Sequence, residues 1–252
     1  MRRRTLAALV ATAFVAASSA LAAVAFAGSS HEESPPRLTV FAAASLTDVL
    51  PQIAHENYSF GGSNMLAAQI QQGLPADVFA SADVGLPWRL HRQGLVTRPV
   101  VFTANRLVVV VAHGNPLHIG SVQGLEKPGL RIVMAAPGVP VGDYTRKVLK
   151  RLGLSDLVGK AVSQENDVRG VLSKVVLGEA DAGFVYATDA KTVKGRVSLL
   201  GIPQSAQPQV LYAAAAVKSS NHLQAAKKWV RRLLSKRAQK KLRAAGFLRL
   251  PH

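Results

Sequence analysis

The sequence contains no cysteine. Disulfides and thiolate metal sites are therefore excluded from it, and a lipid anchor carried on an N-terminal cysteine is not expected. No His-Glu-x-x-His occurs among its 7 histidines, so the helical zinc pattern is missing as well. No Gly-x-Ser-x-Gly is present, which removes the nucleophile elbow of a serine hydrolase. No histidine stands where it could activate a candidate serine, and the chain is not expected to be an enzyme. Acidic residues are scarce: 14 against 31 Lys and Arg give a net charge of +17. Such an excess suits nucleic acid, an anionic cell envelope or a small anionic ligand. The most basic stretch, Lys218 to Arg243, has no acid and lacks the interleaved aromatics of single-strand binders. Leu223, Ala226, Val230, Leu233 and Leu234 recur there at helical spacing, so the charge reads as the solvated face of an amphipathic helix.

What is present begins with Arg2, Arg3 and Arg4, then an apolar run from Leu6 to Phe26 ending in Ala25-Phe26-Ala27. This is the pattern of a secretory signal peptide over 1–27, with a retained membrane anchor as the alternative. Export argues against a nucleic-acid partner and places the mature chain in the periplasm or outside the cell envelope. A polar link over 28–36 follows. The remainder is long enough to bury a core without staples.

Short apolar runs then alternate with helical patterns. Strands are predicted at Leu38 to Phe41, Val78 to Ala80, Arg106 to Ala112, Leu130 to Ala135, Ala182 to Val185, Val197 to Leu200 and Val210 to Val217. Helices are predicted at Thr47 to Ala54, Met65 to Gln72, Leu86 to Gln93, Tyr144 to Leu152 and Val168 to Leu177, with two more up to Gly246. Gly73, Gly94, Gly153 and Gly178 mark helix ends. The alternation predicts an α/β protein with mostly parallel sheets flanked by helices. The two long apolar strands divide it into two lobes with a ligand between them: lobe 1 over 37–110 plus 211–252, lobe 2 over 111–210.

Candidate chemistry lies at strand-to-helix junctions. The first turn of a helix leaves main-chain N–H groups unpaired and carries partial positive charge, which suits an anion. Ser45 follows three alanines, with Asp48 three residues on, as in a capping box. Ser63 follows Gly61-Gly62. Loops containing Val141 and Asp167-Val168 enter helices, and Tyr186 follows an apolar strand. Each has a structural alternative: Ser45, Ser63 and Asp167 as helix caps, Tyr186 as a core or rim residue.

Taken together, these blocks carry a resemblance. Leu38 to Thr47, Leu66 to Ile70 with Pro75 to Asp83, Asp167 to Gly170, and Gly183 to Tyr186 are similar to successive segments of the periplasmic molybdate-binding proteins of ABC transporters. The resemblance implies a two-lobed periplasmic-binding-protein fold of type II with the ligand in the interlobe cleft. It implies capture of molybdate or tungstate for import, with a membrane permease as partner, no cofactor, and a monomeric chain. It further implies that the hydroxyls of Ser45, Ser63 and Tyr186 and the main-chain N–H groups of Val141 and Val168 hold the oxyanion, with Ala44 as a further contact. A receptor for sulfate or another tetrahedral oxyanion is the nearest alternative. Molybdate carries no proton at neutral pH, so a site of neutral donors suits it, whereas phosphate keeps a proton and wants an acceptor. The chain departs from the family pattern in two places. Val141 stands where Ala is common. The segment before Ser63 is short, with His55-Glu56-Asn57-Tyr58-Ser59 where a strand and its lead-in belong, so that edge strand is left unassigned.

Overall fold

Two five-stranded sheets organise the chain, in a computed structural model that describes residues 37–250. The signal-peptide and linker assignments, and the last two residues, lie outside the described residues. The first sheet has the order β2-β1-β3-β10-β4, with β1 Thr39–Ala43, β2 Asn57–Gly61, β3 Val78–Ser81, β4 Val100–Asn105 and β10 Val210–Ala216. The second has the order β7-β6-β8-β5-β9, with β5 Leu107–Ala112, β6 Ile132–Ala135, β7 Ala161–Glu165, β8 Ala182–Tyr186 and β9 Val197–Leu200. Both are built alike. Three strands pair in parallel, and one strand runs against them: β10 in the first sheet, β5 in the second. The outer neighbour of that strand, β4 or β9, pairs with it antiparallel and so points the same way as the parallel set.

The helices are α1 Leu50–Ile53, α2 Ser63–Gln71, α3 Gly85–Arg92, α4 Pro140–Arg151, α5 Val168–Val176, α6 Ala187–Thr192, α7 Leu223–Arg232 and α8 Lys236–Ala245. On one face of the first sheet, Leu66, Ala67 and Ile70 of α2 and Leu86 and Leu90 of α3 pack with Phe41, Phe79 and Ala215. The other face belongs to a larger core that includes Val40, Val78, Tyr212 and Ala214 and, from α7, Ala226, Trp229 and Val230. Strands covered on both faces need no alternation, which is why β5 and β10 read as continuous apolar runs. The basic C-terminal segment divides in two: Ser235 accepts a hydrogen bond from the Ala238 N–H (3.2 Å) and starts α8. Among the described residues no helix is long and apolar enough to cross a membrane.

The chain passes between the sheets at Arg106, between β4 and β5, and returns between β9 and β10. A boundary at 110/111 would fall inside β5, which pairs along its length with β8 and β9. Thr47 to Ala54 is not one helix but a 3-10 turn at Ala44–Leu46 followed by the short α1, where Pro51 sits in the first turn. The segment before Ser63 does form an edge strand, β2, in register with β1 from Thr39↔Asn57 to Ala43↔Gly61.

Candidate functional site

Ser45, Ser63, Val141, Val168 and Tyr186 line one small pocket, together with Ala44, Gly62, Ala82 and Asp167. Three come from beyond the carboxyl ends of strands, namely Ser45 after β1, Ser63 after β2 and Val168 after β7. Tyr186 is the last residue of β8, and Val141 lies in the first turn of the helix that follows β6. The pocket thus draws on both sheets at their carboxyl ends, where α/β folds present helix N-termini to ligands.

Neither serine acts as a helix cap. Ser45 sits in the 3-10 turn without a capping hydrogen bond; its Oγ lies 2.8 Å from the Tyr212 hydroxyl. Ser63 is the first residue of α2, with Gly62 at the cap position, and its Oγ accepts from the Ala82 N–H (3.1 Å). Asp167 does cap: its Oδ1 accepts from the N–H groups of Arg169 (2.7 Å) and Gly170 (3.0 Å). Its charge is thereby committed to α5, although Asp167 lines the pocket.

Val168 opens α5, and Val141 follows Pro140 at the start of α4. First-turn N–H groups have no partner within their own helix, so each is available to an acceptor in the pocket. Gly142 lets α4 settle onto the end of β6: a Cβ there would lie 2.4 Å from the Ala136 carbonyl oxygen and 2.5 Å from that of Ala135. Tyr186 is 1% exposed, and its hydroxyl has no hydrogen-bond partner among the described residues. Burial pushes its pKa well above the ordinary 10, with lesser contributions from the neighbouring Tyr212 and Tyr144. It therefore stays a neutral phenol with a proton to give. Leaving such a group without a partner is costly, which points to an acceptor supplied by a ligand.

Two features crossing the cleft carried no signal in the sequence. Gly62, on the first sheet's side, lies against the Asn166 carbonyl on the second's: a Cβ on Gly62 would come 2.3 Å from that oxygen. Arg169, next to Val168, pairs with Asp48 beyond Ser45, and its Nε lies 2.9 Å from Asp189 Oδ1. Asp189 is fully buried, and burial pushes it up to about 7 against the opposing pull of Arg169. Capping-box spacing had tied Asp48 to Ser45; its partner is in fact Arg169, across the cleft.

A larger groove of about 680 Å³ follows the two crossings between sheets, past Asn105, Leu107, Gly201 and Gln207. It contains none of the five candidate residues, and Gln207 there is already bonded to the main chain of Leu107 (3.3 and 2.7 Å).

The chain resembles known proteins along nearly all of the described residues. Residues 38–248 match the family model described as bacterial extracellular solute-binding protein. The molybdate-binding protein ModA of Mycobacterium tuberculosis is 37% identical over 221 residues, covering 83% of this chain and 84% of that protein. ModA of Haemophilus influenzae is 31% identical over 228 residues, covering 84% and 89%. Among solved structures, the periplasmic molybdate-binding protein of Azotobacter vinelandii superposes with a TM-score of 0.76 at 26% identity, covering 86% of this chain and all (100%) of that one.

Proposed function

This chain belongs to the bacterial extracellular solute-binding proteins, and from that premise we propose that it captures molybdate, or the near-isosteric tungstate, outside the cytoplasm for import through an ABC permease. In this reading each sheet with its helices is a lobe, 37–105 with 210–250 forming the first and 107–200 the second. The anion sits between the lobes on Ser45, Ser63 and Tyr186 hydroxyls and the Val141 and Val168 N–H groups. The protein acts by binding and release as a monomer, without catalysis or a resident cofactor.

The observation that carries the reading is the Tyr186 hydroxyl: buried, protonated, without a partner among the described residues, and sharing one pocket with both serines and two helix first turns. All five groups can donate, and none is a fixed cation. The attraction comes from α4, α5 and α2, whose N-termini converge. A dianion that only accepts satisfies such a set, while release remains possible because no lysine or arginine lines the pocket. Hinge closure of the two lobes then excludes water from the hydrogen bonds.

Titration calorimetry of the exported chain with molybdate, tungstate, sulfate and phosphate tests this. One-to-one binding of molybdate ahead of sulfate and phosphate is expected. Sulfate ahead of molybdate would reassign the ligand, and no oxyanion binding at all would refute the function. Hydrogen bonds to a charged group contribute about 1.5–3 kcal/mol, so Ser45→Ala and Tyr186→Phe should each weaken molybdate about tenfold or more with the fold unchanged. Unaltered affinity in both would remove these residues from the site.

A further inference from the structure

Resting on the oxyanion reading above, we propose that Tyr212 is a positioning residue that fixes the direction of the Ser45 hydroxyl, with Asn105 behind it, so that Ser45 presents its proton to the ligand. Tyr212 lies on β10 and Asn105 ends β4. Neither lines the pocket.

The direction follows from donor and acceptor inventory. The Asn105 amide is oriented by its Oδ1, which accepts the Arg106 N–H at 2.9 Å. Its Nδ2 therefore faces the other way, donating to Thr188 Oγ1 (2.9 Å) and to the Tyr212 hydroxyl oxygen (3.3 Å). An amide nitrogen has only protons to give. The Tyr212 oxygen thus accepts from Asn105, and its own proton goes to its other neighbour, Ser45 Oγ, at 2.8 Å. Having accepted that proton, Ser45 is left with its own for the pocket. The opposite arrangement, Ser45 donating to Tyr212, would strand the buried phenol proton of Tyr212 without an acceptor.

The phenol is held in place for this. Tyr212 is 0% exposed, and its ring packs edge-on against Phe247 (5.4 Å between centroids), Tyr186 (5.9 Å) and Phe102 (6.2 Å). Ser63 reaches the same state by a shorter route, since its Oγ accepts the Ala82 N–H. Both serines are thereby set as donors by the protein before a ligand arrives. A proton-free oxyanion answers both. Hydrogen phosphate brings a proton into the same space and meets two more, so the chain through Tyr212 contributes to discrimination as well as affinity.

A double-mutant cycle with a selectivity readout tests this. Molybdate affinity is measured for the unmodified chain, Tyr212→Phe, Ser45→Ala and the double variant, with inorganic phosphate titrated by displacement. If Tyr212 acts through Ser45, Tyr212→Phe weakens molybdate about tenfold on its own but less than about twofold in the Ser45→Ala background, because residues in one hydrogen-bond network are not additive. The molybdate-to-phosphate ratio should also narrow in Tyr212→Phe. Additive losses, an unchanged ratio with equal loss of both anions, or no loss at all would each overturn the proposal and leave Tyr212 a packing residue. Failure of the unmodified chain to bind molybdate would instead refute the function itself, a result visible before any variant is compared.

Discussion

Replacing Gly62 by alanine should weaken molybdate binding about a hundredfold while leaving the fold and its unfolding midpoint nearly unchanged. Gly62 has φ −62° and ψ 127°, a conformation any residue adopts, so alanine brings no backbone strain within its own lobe. The conflict lies across the cleft. The added Cβ would stand 2.3 Å from the Asn166 carbonyl oxygen, and a main-chain oxygen cannot swing aside as a side chain can. The nearby Asn64 Oδ1, at 2.8 Å, can move. The lobes must then stop short of full closure. Overpacking of this kind costs about 1–3 kcal/mol, and the loss falls on the closed, ligand-bound state alone. Calorimetry gives the affinity, and small-angle scattering should show that the variant stays extended in saturating molybdate where the unmodified chain compacts. Equal compaction and unaltered affinity would show that the Gly62 contact does not govern closure.

Removing Arg169 should produce the largest loss of stability, about 3–5 kcal/mol for Arg169→Ala, because it strips a fully buried carboxylate of its cation. The exposed half of the pair, with Asp48, contributes little to that figure. The loss should depend on pH in a definite direction. Asp189 is pushed up to about 7 by burial even with Arg169 beside it, whereas in the unfolded chain it titrates near 4. A folded-state pKa above the unfolded one means that the native protein binds the extra proton, so stability at this site improves as pH falls through 7 and is lower above it. Without Arg169 the carboxyl rises further. Urea unfolding should therefore show a large deficit at pH 8 and a smaller one at pH 5, and Asp189→Asn in the same chain should recover much of it. A deficit independent of pH, or one that Asp189→Asn fails to relieve, would mean that packing of the arginine stem rather than its charge is what matters.

The buried strands were legible because their apolar runs are continuous: β5 and β10 stand in the sequence as Val- and Ala-rich stretches with no polar interruption. The strands that escaped, β4 and β7, and the one left unassigned, β2, are all at sheet edges. Ala161–Glu165 and Asn57–Gly61 are at most half-buried, so no apolar run marks them, and in Val100–Asn105 the run is broken by Thr103 and Asn105. The five candidate residues could be named because strand ends, glycines and helix starts are local patterns, and because their order resembled a known family. The pocket contains all five. What the pattern could not supply was contact between residues far apart along the chain. In the sequence Gly62 is one of two glycines before Ser63, Arg169 one position in the loop entering a helix, and Tyr212 one position in an apolar strand. Each acquires its role only from a partner far along the chain: Asn166, Asp48 with Asp189, and Ser45 with Asn105.

In the proposed function, hydroxyls and main-chain amides from both sheets meet on a single anion. A crystal of the protein grown with molybdate, with data collected at the molybdenum absorption edge, locates that anion directly. One strong anomalous peak is predicted in the pocket, placed so that the oxygens around it accept from the hydroxyls of Ser45, Ser63 and Tyr186 and the main-chain N–H groups of Val141 and Val168. A peak on the basic surface of α7 and α8, or in the groove between the sheet crossings, with none among those five residues, would contradict the account.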